Sequence, residues 1–213
     1  MEVGVRIFKQ IFLALALLSA GQVQAAPEVG KDYQIVNSPQ PTASGDKIEV
    51  LEFFYYPCSH CYKLDSFLGA WEKKMPKDVQ FIYESTIFSD NMEPMARAFY
   101  ALESIKQRKR LHETLFKAIH DEKLELYDEV ALTDYVVKHG VNREKFSAAY
   151  NSPLIQAKVA HSRQLAVDYN IRGTPTLIVD GRYMIFGLPP KETIQVLNFI
   201  VSKVRKERTS KKS

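Results

Sequence analysis

The run from Lys47 to Tyr56 sets Ile48, Val50, Leu51, Phe53 and Phe54 so close together that it predicts a central β-strand covered on both faces. Glu52 breaks the run. An ionisable side chain between Leu51 and Phe53 is costly unless it is paired or put to use. The competing reading sets it at an exposed sheet margin with no role. Pro57 closes the strand. From Cys58 onward Cys61, Leu64, Phe67, Leu68, Trp71 and Met75 recur every three or four residues, the stripe of a helix that Pro76 ends. Val79 to Ile87 returns to Val, Phe, Tyr and Ile with polar alternates and predicts a second core strand. Strand, helix and strand form a βαβ crossover with Cys58 at the carboxyl end of its first strand, where the sites of open α/β sheets lie.

Ahead of this unit, Ala26 to Gly45 reads as loop, with Tyr33 to Val36 a short edge strand. Beyond it the pattern turns helical over Glu93 to Lys106, Arg108 to His120, Asp128 to His139, Asn142 to Tyr150 and Pro153 to Tyr169. Asp128, Asn142 and Ser152-Pro153 are good starts and Gly140 a good stop. His112, His120, His139 and His161 fall on these helices without metal-ligand spacing to one another, and read as solvated or hydrogen-bonded structural residues. Strand character returns at Thr176 to Val179. Asp180-Gly181 is a type I′ hairpin signal with Arg182 to Phe186 as the antiparallel partner. Gly187 breaks that strand, and Pro190 starts a last helix with Ile194, Leu197, Ile200, Val201 and Val204 as its stripe.

Cys58 and Cys61 are the only cysteines. At a strand-to-helix junction the first thiol meets the unpaired N–H groups and the positive end of the helix dipole, which favour thiolate. The second lies one turn on, on the same side and within disulfide reach. Half a zinc site is one reading, but structural zinc usually takes four protein ligands and no second Cys pair or close His pair follows. A passive disulfide is another, but so short a loop removes little chain entropy. A redox dithiol is the third and best supported. Beneath it, a Glu52 carboxylate could accept or relay the proton of Cys61 as a mixed disulfide resolves.

Met1 to Ala25 reads as a secretory signal, with Arg6 and Lys9 ahead of an apolar Ile11 to Leu18 and Val23-Gln24-Ala25 as the cleavage site. Its apolar core is too short to span a bilayer comfortably, an uncleaved anchor being the alternative. Export to an oxidising compartment lets the pair rest as a disulfide. Of the 213 residues, the 188 that follow the 25-residue leader suit one domain, or one with an insertion, and a hydrophobic content of 46% is ordinary for a globular chain. The net charge of +4 is a terminal effect: Lys203, Arg205, Lys206, Arg208, Lys211 and Lys212 stand against Glu207, and the body is mildly acidic. That distribution argues against nucleic-acid binding. The Lys-rich end reads as a solvated, frayed helix terminus, with attraction to anionic lipid the weaker alternative.

A βαβ unit with C-x-x-C, a Thr-Pro ahead of a ββα unit, and an export signal together resemble the thioredoxin-fold oxidoreductases, most closely the periplasmic disulfide-bond protein A (DsbA) family. Leu51-Glu52-Phe53-Phe54, Cys58-Ser59-His60-Cys61-Tyr62 and Gly173-Thr174-Pro175-Thr176 carry the likeness, which covers Asp46 to Val204. The interval from Cys58 to Pro175 far exceeds the roughly 40 to 50 residues of a plain helix–strand–helix path. The resemblance therefore implies an α/β thioredoxin fold with an inserted all-helical subdomain. Its parts are a signal at 1–25, thioredoxin-like segments at 26–87 and 166–204, the insert at 88–165 and a basic tail at 205–213. It further implies Cys58 as nucleophile, Cys61 as buried resolving thiol, His60 as a stabiliser of the Cys58 thiolate and Glu52 as buried acid. A cis Pro175 should pack on the disulfide, and the Thr174 backbone should pair with an extended substrate.

The implied activity is periplasmic dithiol oxidation with no cofactor beyond the Cys58–Cys61 disulfide. The implied partners are exported proteins with free thiols and a quinone-linked, DsbB-like membrane oxidase, the protein itself being a monomer. Ser59 departs from the family, which commonly has Pro there, and it restores a backbone N–H near the thiolate. A disulfide isomerase or reductase would use the same residues, but family isomerases carry a dimerisation module ahead of the fold. A glutathione-using relative would work with a single catalytic Ser or Cys. A non-catalytic peptide-binding chaperone is the rival from another class.

Overall fold

The computed structural model describes residues 25–210, so the secretory signal read at Met1 to Ala25 lies outside the described residues except for Ala25 itself. Five strands form one sheet: β1 (Gln34–Ile35), β2 (Ile48–Phe54), β3 (Val79–Ser85), β4 (Thr176–Val179) and β5 (Tyr183–Phe186), in the order β1-β5-β4-β2-β3. Only β2 and β3 run parallel, which the α1 (Ser59–Glu72) crossover between them requires. β4 and β5 are joined by the Asp180-Gly181 turn, whose φ values of 56° and 65° are those of type I′. Every residue of β2 is buried, because the strand has a neighbour on each side and helices over both faces.

Side-chain alternation on β2 sorts the core into layers. Ile48 and Val50 pack with Leu64, Leu68 and Trp71 of α1 and with Val196, Leu197, Ile200 and Val204 of the last helix, α7 (Pro190–Ser210). Leu51 and Phe53 point the other way, onto Ala166, Tyr169 and Ile171. Between β3 and β4 the chain builds α2 (Glu93–Ser104), α3 (Arg108–His120), α4 (Glu129–Lys138), α5 (Arg143–Tyr150) and α6 (Pro153–Asp168). Asp128, Asn142 and Ser152 cap α4, α5 and α6 through their side chains, as the sequence predicts. This helical insert has its own core around Phe99, Leu115, Phe116, Leu132 and Phe146. That core runs continuously into Phe54, Tyr56 and Cys61.

Several expectations need correction. The helix after Cys58 stops at Glu72, well before Pro76, because the residue ahead of a proline resists helical backbone. The chain closes instead in tight turns from Lys74 N–H to Trp71 C=O and Met75 N–H to Glu72 C=O. Phe67, placed in the apolar stripe, is 43% exposed. The second strand ends at Ser85 and lies at the sheet edge, so its alternate residues are only partly covered. As far as Ser210 the basic end is helix rather than a frayed terminus, Lys211 and Lys212 lying outside the described residues. Arg205 pairs with Asp78 at 2.7 Å, and Arg208 grips the Asp46 and Lys47 carbonyls and the buried Asp180 carboxylate.

Candidate active site

Where β2 ends, the chain turns through Tyr55 to Pro57 and enters α1 with Cys58 as its N-cap, at φ −77° and ψ 115°. Asn, Asp or Ser oxygen usually accepts the free N–H groups of a first helical turn. Here sulfur does so: Cys58 Sγ accepts from the Cys61 N–H at 3.4 Å. The pair is in its dithiol form, with Cys58 half-buried and Cys61 wholly buried.

The two thiols titrate in opposite directions. A hydrogen bond from the Cys61 thiol is the largest influence on Cys58. Partial burial opposes it, while the Thr174 side chain and the backbone N–H groups of Cys61 and His60 add to it, bringing Cys58 down to about 5. Sγ also lies 3.3 Å from the Thr174 carbonyl oxygen. Only the neutral thiol can donate there, so that contact favours the thiol and is outweighed. Cys61 is pushed far above the ordinary thiol range, first by burial, then by holding its proton toward Cys58, then by the charges of Glu52 and Cys58.

Glu52 is 2% exposed and, by alternation along β2, shares the α1 face with Val50 and Phe54. Burial, the Asp65 carboxylate and the Cys58 thiolate, in that order, hold its carboxyl well above the usual range. The exposed-margin alternative for Glu52 is thereby removed. Glu49, also buried on β2, differs in being satisfied by the Ala43 N–H and the Ser44 hydroxyl.

The Thr174–Pro175 peptide is cis, at the turn that feeds β4. His60, Thr174 and Pro175 line a groove of about 380 Å³ together with the apolar Leu64, Leu177, Ile185, Phe186 and Leu188. The His60 ring is exposed, and its backbone N–H is the group that reaches Cys58. All six site residues read from the sequence therefore gather at one end of the sheet, close to the thiols. Among the described residues no group of three His, Cys, Asp or Glu side chains could hold a metal ion.

Sequence reasoning missed the helical side of the site. His112 and His120, two turns apart on α3, both reach Tyr56. His112 Nδ1 meets the Tyr56 hydroxyl at 2.9 Å and His120 Nε2 the Tyr56 carbonyl at 2.8 Å. His120 also stacks on Tyr62 at 4.7 Å, and the Tyr62 hydroxyl donates to Asp121 at 2.6 Å. The only clue in the sequence was Tyr56 itself, a phenol at the end of a buried strand that needs a partner.

A sheet with one crossover, a C-x-x-C at the N-terminus of the crossover helix and a cis-proline turn beside it define a thioredoxin-fold dithiol protein carrying a helical insert. Comparison with known proteins narrows the class. The DSBA-like thioredoxin domain model matches residues 49–197, so the chain belongs to that family. It is similar to the thiol:disulfide interchange protein DsbA of Burkholderia cepacia, 36% identical over 210 residues that cover 95% of this chain and 99% of the relative. The DsbA of Pseudomonas aeruginosa PAO1 is 34% identical, over 91% of this chain and 93% of its own. Among solved structures, oxidoreductase DsbA from Xylella fastidiosa superposes with a TM-score of 0.80 at 33% identity, over 85% of this chain and 100% of the other. Pseudomonas aeruginosa DsbA does so at 0.81 and 32%, over 88% and 97%.

Proposed function

We propose that this protein is a thiol:disulfide oxidoreductase that works as a dithiol oxidase, passing its Cys58–Cys61 disulfide to thiol-bearing proteins. The observation that carries the reading is the opposed titration of the two sulfurs, Cys58 held down to about 5 and Cys61 far up. A substrate thiolate bonds to Cys58 Sγ, the Cys58–Cys61 bond breaks, and its electron pair leaves on Cys61. A second substrate thiolate then bonds to the first substrate sulfur and expels Cys58 as thiolate. The substrate ends oxidised and the enzyme reduced. A low thiol pKa makes Cys58 a good leaving group and stabilises the reduced protein, a rule of which DsbA proteins are themselves a standing example.

In this reading Cys58 is the nucleophile and Cys61 the resolving thiol. Glu52 is the acid that serves Cys61. His60 supports the thiolate through its backbone N–H and, when protonated, its ring. The Thr174 backbone and Pro175 hold an extended substrate strand over the groove. The redox-active disulfide is the whole cofactor set. The thioredoxin-like segments are 26–87 and 166–204, with the helical insert at 88–165 between them and the signal and basic tail at 1–25 and 205–213. The chain acts as a monomer in the periplasm, on exported proteins, and is recharged by a quinone-linked, DsbB-like membrane oxidase; its relatives' names and the leader pattern support this placement.

The deciding experiment is the equilibrium of the Cys58–Cys61 pair against glutathione, followed by alkylation and mass. Reduced protein should dominate even at modest thiol excess. A pair that stays oxidised against a large excess of reduced glutathione would overturn the oxidase reading. Cys58→Ser should abolish peptide-thiol oxidation, and full retention would favour a non-catalytic chaperone.

A further inference from the structure

His112 is 7% exposed, sits in the helical insert and has no part in the dithiol exchange just described. Its ring is nevertheless wedged among the elements that carry the site. Nδ1 meets the Tyr56 hydroxyl at 2.9 Å, two residues before Cys58. Nε2 lies 3.1 Å from Asp65 Oδ1, one turn after Cys61 on α1, as a close polar contact off the line of a good hydrogen bond. Phe54, Tyr83, Phe99 and Phe116 surround the ring edge-on. The charged and titratable groups facing it are Tyr56 from the turn, Asp65 from α1, Tyr83 from β3, and Glu113 from its own helix. Arg108 lies beyond, over the Tyr83 ring at 4.7 Å.

We propose that His112 is a positioning residue for the dithiol: it bridges Tyr56 and Asp65 and thereby fixes the Asp65 carboxylate within electrostatic reach of Glu52. The inference rests on the oxidase reading and deepens it. Asp65 is nearly buried, its side chain 13% exposed, and a carboxylate there needs a partner to stay in place. His112 supplies that partner. Burial first, then the Asp65 carboxylate and Cys58, keep the proton on Glu52. The groups facing Glu52 are Asp65, Cys58, Cys61 and Tyr83.

A protonated Glu52 has work to do. When substrate sulfur bonds to Cys58, Cys61 departs with the electron pair into a site that disfavours thiolate strongly. Glu52 passes its proton to that sulfur and becomes a carboxylate, which water then reprotonates. The helical insert thus sets the acidity of a group it does not contain.

The test is a carboxyl ¹³C titration of Glu52 in the dithiol protein, on wild type, His112→Phe and Asp65→Asn. Phenylalanine keeps the aromatic packing and loses both contacts, so Asp65 is free to swing to solvent. In both variants the Glu52 carboxyl should titrate at lower pH than in wild type, and the double variant should go no lower than Asp65→Asn alone. His112→Gln, whose amide can still meet Asp65, should restore the wild-type titration. Oxidation of a model peptide dithiol at pH 7 should slow about tenfold in the first two variants, part of what a general acid contributes.

An unchanged Glu52 titration in Asp65→Asn, or a His112→Phe protein that only melts earlier, would overturn the inference. Asp65→Asn leaves α3 untouched and decides the matter where His112→Phe does not fold. Should wild type itself fail to oxidise the peptide, the oxidase reading falls, and the carboxyl titration still answers for His112.

Discussion

Cys58 Sγ sits 3.3 Å from the carbonyl oxygen of Thr174, 116 positions further along the chain. The whole helical insert lies between them in sequence, yet the sheet brings them together because β4 pairs with β2, Thr176 opposite Phe53. The strand that delivers the cysteines and the strand that follows the cis peptide are direct neighbours, so the exchange site is a property of the β2–β4 pairing.

The depressed Cys58 thiol makes the dithiol form's stability depend on pH. A thiol whose folded value lies near 5, below its unfolded value near 9, contributes stability that is full above the unfolded value and lost as pH falls toward 5. The urea midpoint of the reduced protein should therefore rise relative to that of the oxidised protein between pH 5 and 9. Parallel curves for the two forms would refute the thiolate assignment.

Glu52 works in the opposite sense. Its folded value is raised, so its contribution is full below the unfolded carboxyl value and lost as pH climbs through the folded one. Glu52→Gln removes that loss. The variant's urea midpoint should gain on wild type with rising pH, while its single-turnover oxidation of a peptide dithiol slows.

Gly181 has φ +65°, and a Cβ there would stand 2.1 Å from the Gln40 carbonyl oxygen. Both the turn and the strap from Gln40, whose N–H donates to the Gly181 carbonyl at 3.2 Å, would have to move. Gly181→Ala should cost more than about 1 kcal/mol in denaturant unfolding, with the Cys58 titration unchanged because the turn lies at the far end of β4.

Arg208 ties the end of α7 to the Asp46 and Lys47 carbonyls and to Asp180, which Arg182 also holds at 2.9 Å. Arg208→Ala should destabilise by roughly 1.5 to 3 kcal/mol, the scale of hydrogen bonds to charged groups. Arg205, more exposed and joined to the Asp78 carboxylate through two hydrogen bonds at the surface, should matter less: its alanine variant should fall within about 1 kcal/mol of wild type.

Local signals located β2, the helix caps and the Asp180-Gly181 turn, the strand by its apolar run and the caps and turn by residue type, because each is decided by residues a few positions apart. The C-x-x-C, Glu52 and the Thr174-Pro175 pair were readable for a related reason, since each advertises its chemistry by residue type. What stayed hidden depends on packing across the chain. Nothing in the spacing of His112 or His120 reveals that both meet Tyr56, and nothing near Lys203 to Lys212 reveals that Arg208 reaches back to Asp46. Phe67 shows the converse, an apolar side chain in the right phase left outside because no element covers it.

Cys61 is wholly enclosed while Cys58 is only half-buried, and the chain holds no other sulfhydryl. A bulky alkylating reagent applied to the reduced native protein therefore has a single target. The mono-adduct is a ready chemical handle for immobilising or labelling the molecule at its working end, with no engineering of the surface.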